Sequence, residues 1–238
     1  MFKVIVYAFI SLNLLLAGCS SSTKKYDVRA IESLDLISET LGQINSCSFT
    51  LNTVVTKDNK TEVTKEHDVY LRGPDKMYIY TVGANERKEI WFDGKTFAQF
   101  IYGENVYDTI STGNDIISAI HDIHSKYGIN FPASDFFYPT LTDDLIDNFD
   151  EIMLLNDEII SGVKCTTIQA SREGKTIDIW IEKESNLPTK MRVKQTDKTK
   201  LDYEATFHNW RINPVLPDIL FKFEPPTNST RKKLQPKR

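Results

Sequence analysis

Residues 86–102 read Glu-Arg-Lys-Glu-Ile-Trp-Phe-Asp-Gly-Lys-Thr-Phe-Ala-Gln-Phe-Ile-Tyr. Two runs rich in aromatic and β-branched side chains flank Asp93-Gly94, a pair that tolerates the positive φ a tight hairpin needs. The reading is two antiparallel strands, 86–92 and 96–102. Their period of two places Ile90 and Phe92 on one side of the first strand, and Ala98, Phe100 and Tyr102 on one side of the second.

Outward from this hairpin the same period continues. Upstream, Phe49, Leu51, Thr53 and Val55 alternate with polar residues, and a polar turn at 57–60 leads to a strand through His67, Val69 and Leu71. That strand stops at Arg72-Gly73-Pro74, and residues 76–82 form the next. Residues 106–110 extend the series downstream. Every connection is too short for a crossover, so the region is an antiparallel meander.

Residues 28–45 carry Ile31, Leu34, Leu41 and Ile44 at helical spacing behind Asp27, a capping residue. A second helix starts at Asn114 or Asp115, bears Ile116, Ile120, Ile123 and Tyr127 on one face, and ends at Gly128. Residues 134–138, Ser-Asp-Phe-Phe-Tyr, read as a short helical turn, and 142–148 as a helix capped by Thr142. Strands then return over 151–155 and 159–170. The later runs alternate Ile177, Ile179 and Ile181 with Asp178, Trp180 and Glu182, and Met191 and Val193 with Lys190, Arg192 and Lys194. Tyr203, Ala205 and Phe207 alternate with Asp202, Glu204 and Thr206. One apolar and one charged face per strand means a sheet covered on one side and wet on the other. The fold class is therefore mainly β (α+β), an antiparallel sheet with the helices as its cover. Residues 214–226 close the domain in extended form.

The amino terminus carries an apolar run from Val4 to Leu16 behind Lys3, too short to span a bilayer, followed by Leu16-Ala17-Gly18-Cys19. This string resembles the lipobox of bacterial lipoproteins. The resemblance implies a signal peptide over 1–18, an acylated Cys19, a polar tether to residue 26 and a domain over 27–226. Ser20 after the cysteine favours the periplasmic face of the outer membrane. Residues 227–238 form a basic tail, with five Lys or Arg among the last eight residues, read as disordered and suited at most to anionic headgroups.

The 29 Lys and Arg against 33 Asp and Glu exclude nucleic-acid binding by overall field. Cys47 and Cys165 remain as either a disulfide or two buried thiols. His121 and His124, three apart on one helix, share a flank, but no third ligand accompanies them, so no metal and no cofactor are expected. No nucleophile elbow, glycine-rich phosphate loop or triad is present, and the expectation is a protein that is not an enzyme.

Several strings in order resemble the predicted periplasmic proteins grouped as domain of unknown function 2092. They are Trp91-Phe92-Asp93-Gly94-Lys95-Thr96-Phe97, Lys126-Tyr127-Gly128-Ile129, Gly162-Val163-Lys164-Cys165, Trp180-Ile181-Glu182, Leu187-Pro188, Leu216-Pro217-Asp218 and Phe221-Lys222-Phe223-Glu224-Pro225-Pro226. That family looks like part of the LolA and LolB superfamily of lipoprotein carriers and acceptors. The resemblance implies a strongly curved antiparallel sheet, an unclosed half-barrel whose helices cover the concave face. It also implies a lipid, acyl chain or lipoprotein held between the two layers at the membrane, possible lining residues being Ile90, Phe92, Phe100, Tyr102, Ile116, Ile120, Ile123, Phe136, Phe137, Ile179 and Met191. Periodicity alone leaves open whether these surfaces meet as a core or stand apart as a cavity. A relative in envelope-stress signalling implies the alternative, a module that binds an envelope protein partner or senses a signal without a small ligand.

Overall fold

The structure is a computed structural model and describes residues 24–58, 60–196 and 200–237. Cys19 and the stretch expected to be a signal peptide and lipobox lie outside the described residues. In chain order the elements are β1 (Lys25–Tyr26), α1 (Val28–Gly42), β2 (Ser46–Lys57), β3 (Lys60–Arg72), β4 (Lys76–Gly83), β5 (Glu86–Phe92), β6 (Thr96–Ile101) and β7 (Val106–Ser111). Then come α2 (Ile116–Tyr127), a 3-10 turn (Ser134–Phe137), α3 (Leu141–Asn148), β8 (Glu151–Leu154), β9 (Glu158–Ile160), β10 (Val163–Arg172) and β11 (Lys175–Glu182). The last are β12 (Pro188–Gln195), β13 (Leu201–Ile212), a second 3-10 turn (Asp218–Phe221) and β14 (Thr230–Arg231).

All the strands join one unclosed sheet in the order β1-β8-β10-β11-β12-β13-β2-β3-β4-β5-β6-β7-β14, with β9 paired to β10. The interior pairs are antiparallel, but the outermost pairs, β1 on β8 and β14 on β7, are parallel. The sheet is thus mixed at both rims rather than antiparallel throughout. Its two meanders meet at the pairing of β2 with β13, which sets Leu51 opposite Phe207.

Helix α1 begins where Asp27 accepts the Arg29 backbone N–H at 2.9 Å. Its buried residues Ala30, Leu34 and Ile37 follow the i, i+4, i+7 pattern and enter the core. Helix α2 begins at Asp115, whose carboxylate accepts the Ser118 N–H at 2.9 Å and hydroxyl at 2.7 Å. It ends at Gly128, which takes φ 70 and donates its N–H to the His124 carbonyl. Helix α3 starts one residue earlier than the sequence reading: Thr140, not Thr142, is its cap, and the buried Thr142 hydroxyl has no hydrogen-bond partner among the described residues. The run 159–170 is also broken, because Ser161 and Gly162 take φ 51 and 84 and fold β9 back onto β10.

The helices lie on one face of the sheet. Leu34 and Ile37 of α1, Ile116 to Ile123 of α2 and Leu141 and Leu145 of α3 form a single cluster with Phe49, Leu51, Val69, Ile79, Ile90, Phe92, Ile179, Met191 and Phe207. The other face carries ion pairs on β12–β13, including Lys190 to Glu204 at 2.9 Å, and an aromatic file on β3–β7. In that file Phe223 of the closing segment packs on Trp91 at 5.0 Å and on Tyr107 at 5.4 Å.

Two terminal segments differ from expectation. The end of the tether is ordered: Lys25 and Tyr26 pair with β8, and the Tyr26 hydroxyl donates to the Ile146 carbonyl at 2.8 Å. The basic tail is not disordered. Thr230 and Arg231 pair with β7, Lys232 meets Glu104 at 2.6 Å, and the Lys237 N–H donates to the Lys126 carbonyl of α2 at 2.8 Å. Backbone pairing and buried acceptors hold a segment that charge counting assigned to solvent.

Candidate functional site

The helical cover and the inner face of the sheet do not meet everywhere. A groove of about 420 Å³ lies between β11–β12 and the Ser134–Phe137 turn with α3. Its floor is Ile177, Ile179, Met191 and Val193, which cross-strand register places side by side, Ile177 opposite Val193 and Ile179 opposite Met191. Its roof is Phe136, Leu141, Leu145 and Phe149. The rim carries Asp135 and Asp144 against Arg172 and Lys175, whose cationic groups lie 5.9 and 5.6 Å from the Phe149 ring. Loss of hydration raises the Asp135 carboxyl above the usual range, against the pull of Lys175.

A second groove of about 530 Å³ opens over β2–β6, roofed by residues 128–132. Its wall is of another kind. Beside Val55, Val63, Ile79, Ile90 and Ile101 it presents Thr53, Lys65, His67, Thr81, Glu86, Lys88 and Gln99. His67 is 3% exposed and lies with its ring nitrogens 3.1 Å from the Thr53 hydroxyl and 2.9 Å from that of Thr81. A neutral imidazole gives one donor and one acceptor, so the two hydroxyls satisfy it completely. Burial, aided by Lys88 and Lys65, depresses its pKa to about 4. Glu86 contacts Lys65 and lies 2.8 Å from Lys88. Although burial would raise its carboxyl, the two ammonium groups hold it at about 2.

The two grooves abut at Val193 and Tyr203, which are register partners on β12 and β13 and line one groove each. The Tyr203 hydroxyl is buried and has no hydrogen-bond partner among the described residues. Burial, and then the charge of Asp135, raises its pKa.

Of the residues expected to line a site, Phe136, Ile179 and Met191 line the first groove and Ile90 the second. Phe92 and Ile123 are core, 0% and 1% exposed. Ile116, Ile120 and Phe137 surround an apolar gap of about 30 Å³, which admits no more than a water molecule. Phe100 and Tyr102 lie on the face of the sheet away from the helices. Phe100 is opposite Glu89 in the register, and the Tyr102 hydroxyl donates to Glu89 at 2.8 Å. The inner residues of β6 are Phe97 and Gln99, opposite Phe92 and Ile90. Both faces of β6 are buried there, which erases the contrast that alternation depends on.

Cys47 and Cys165 are free thiols, not a disulfide. Cys47 shares its face with Phe49 and Leu51, whereas Cys165 shares the opposite face with Thr167, and three strands separate β2 from β10. His121 and His124 border a pocket of about 240 Å³ with Asp135. Among the described residues, no group of three or more His, Cys, Asp or Glu side chains could hold a metal ion.

The sequence reading missed Lys65, Glu86, Lys88 and Tyr203. Their signal was present: Lys65 and Glu86 fall on the parity of Val69 and Ile90, as a charged end to an otherwise apolar face.

Comparison with curated proteins gives no match. Among solved structures, an uncharacterized conserved protein from Thermus thermophilus is similar over 86% of this chain and 99% of its own, at 11% identity and TM-score 0.53. The MucA/MucB complex of Pseudomonas aeruginosa matches over 82% of this chain and 61% of that one, at 13% identity and TM-score 0.49. A LolA superfamily protein from Nitrosomonas europaea matches over 82% and 97%, at 12% identity and TM-score 0.41. At such identities the likeness is one of fold. The model of the DUF2092 family of predicted periplasmic proteins matches residues 30–234, and the chain belongs to that family.

Proposed function

We propose that this periplasmic family member is a lipoprotein of the cell envelope that holds a lipid or acyl chain in the groove between β11–β12 and α3. The observation that carries this reading is the groove itself: four aliphatic side chains below, four apolar side chains above, and about 420 Å³ between them. Each methylene moved from water into such a space contributes about 0.8 kcal/mol. Leu16-Ala17-Gly18-Cys19 supports attachment through Cys19, and Ser20 supports the outer membrane as its site. The role in this reading is carriage or acceptance, with His67 a structural residue whose two ring nitrogens meet the Thr53 and Thr81 hydroxyls.

Native mass spectrometry of the chain from Ser20 onward, made in a bacterial periplasm, tests this. A co-purifying mass that extracts into organic solvent is the expected result. An apo mass that fatty acids and phospholipids leave unchanged would overturn it. That outcome would turn attention to a protein partner, for which exposed Val215 and Ile219 beyond β13, 97% and 66% accessible, supply an apolar contact.

A further inference from the structure

The second groove contains a feature that an acyl-chain site does not need. Lys65, Glu86 and Lys88 point inward, on the covered face, from β3 and β5. Both strands are interior to the sheet, so these charges do not guard an edge. Their side chains are only 27%, 31% and 20% exposed. Two ammonium groups share one carboxylate, which leaves a surplus positive charge in a partly desolvated wall. His67 adds nothing to it, because burial and the two lysines keep its ring neutral. In the lining of the same groove, on β13 two strands from β3, the buried Tyr203 hydroxyl lacks a partner among the described residues, a condition that costs free energy unless a ligand relieves it.

Resting on the proposed chain-binding groove, we infer that the ligand is an amphiphile with an acidic head. Its tail occupies the apolar groove, it passes the Val193–Tyr203 junction, and its oxyanion, carboxylate or phosphate, meets Lys65, Lys88 and the Tyr203 hydroxyl. The aliphatic floor rejects the charged end, and the lysine pair attracts it, so the two grooves together fix the ligand's direction. Glu86 tempers the site: it holds the lysines apart from a weaker anion and yields one of them to a stronger one.

The test is competition against a diazirine-bearing hexadecanoate on the full chain in dodecyl maltoside micelles. Competitors are hexadecanoate, hexadecyl phosphate, hexadecanol and inorganic phosphate. Wild type is expected to favour one or both acids over hexadecanol by about tenfold or more. The Lys65→Met/Lys88→Met pair should reduce that preference to within about threefold while hexadecanol binds as before. Glu86→Gln, which removes no cation, should strengthen it, and guards against a lysine variant that fails to fold. The acid with the greater lysine-dependent preference identifies the head group. Equal competition by acid and alcohol in wild type would overturn the inference and leave the chain-binding reading intact. Competition by inorganic phosphate as strong as by hexadecyl phosphate would also overturn it, since the anion would then bind without a tail. Failure of every alkyl competitor, the alcohol included, would remove the chain-binding reading itself.

Discussion

The Arg231 Nε donates to Asp108 Oδ1 across 3.0 Å, while the Leu234 N–H donates to Oδ2 of the same carboxylate at 2.8 Å. Asp108 is 6% exposed, so one buried acceptor fastens the carboxyl-terminal segment to β7. Burial would raise its pKa, but these donors prevail and lower it. Replacing Asp108 by Ala strands two donors and should cost about 1–3 kcal/mol. Urea denaturation at neutral pH would show this as a lower midpoint with an unchanged slope. A midpoint equal to wild type would mean that the segment is only loosely attached.

His67 predicts a pH dependence whose sign is set by its lowered pKa. The unfolded ring takes a proton near pH 6.5, whereas the folded ring resists until about 4. Between those values the unfolded state binds more protons, so stability rises with pH and levels off above the upper limit. The full change is about 3 kcal/mol. Glu86 acts lower, its contribution being present above pH 4.5 and lost as pH falls toward about 2. Chemical denaturation at pH 7 and pH 4.5 should separate wild type from His67→Leu, whose stability should be nearly flat over that window.

Cys47 and Cys165 should resist alkylation in the folded protein. Cys47 is 3% exposed and burial pushes its thiol up to about 12, while Cys165 is 0% exposed and is also raised by burial. Since the thiolate is the reactive species, iodoacetamide should modify neither at pH 8 until denaturant is added. Rapid native labelling of either residue would contradict the packing described.

The first groove can be filled from its floor. Ile177 is only partly buried, and Ile177→Trp should project into the space, reducing acyl-chain occupancy about tenfold or more at a stability cost of about 1–3 kcal/mol. Phe136→Ala, by contrast, removes a ring 1% exposed that packs edge-on against Phe207 at 5.6 Å, and should cost about 3–5 kcal/mol. Tyr102→Phe, on the opposite face, should lose one hydrogen bond and leave ligand occupancy as in wild type. Extractable lipid per mole of protein measures the occupancy of the Ile177 and Tyr102 variants, and urea denaturation measures the stability costs.

Much of this architecture was legible because local rules and the global fold agree. Asp93-Gly94 marked the hairpin, Asp27, Asp115 and Gly128 marked helix ends, and the alternation of Ile177, Ile179 and Ile181 marked an inner face that the register bears out. Legibility failed where both faces of a strand are covered, as in β6, since burial of Ala98 and Phe100 under the aromatic file looks in sequence like burial under helices. It failed again at the carboxyl end, where hydrogen bonds to β7 outweigh a composition that alone favours solvent. The grooves could not be read at all. Whether Ile179 and Leu145 touch or stand apart depends on how far α3 rides above the sheet, and apolar periodicity is the same in either case.

The central seam of the sheet pairs Lys57 with Leu201 and Cys47 with Ile212, so its two halves are joined by residues made at opposite ends of synthesis. Each meander can pair within itself as it emerges, but β2 must wait for β13 with one margin bare. A chain delivered amino terminus first across a membrane therefore spends most of its passage as an unfinished half-sheet. The groove over β11–β12 is lined by residues 135–193 and can form within the second half-sheet, but the second groove gains its Tyr203 wall, and the two grooves their junction, only when the last sixth of the chain arrives.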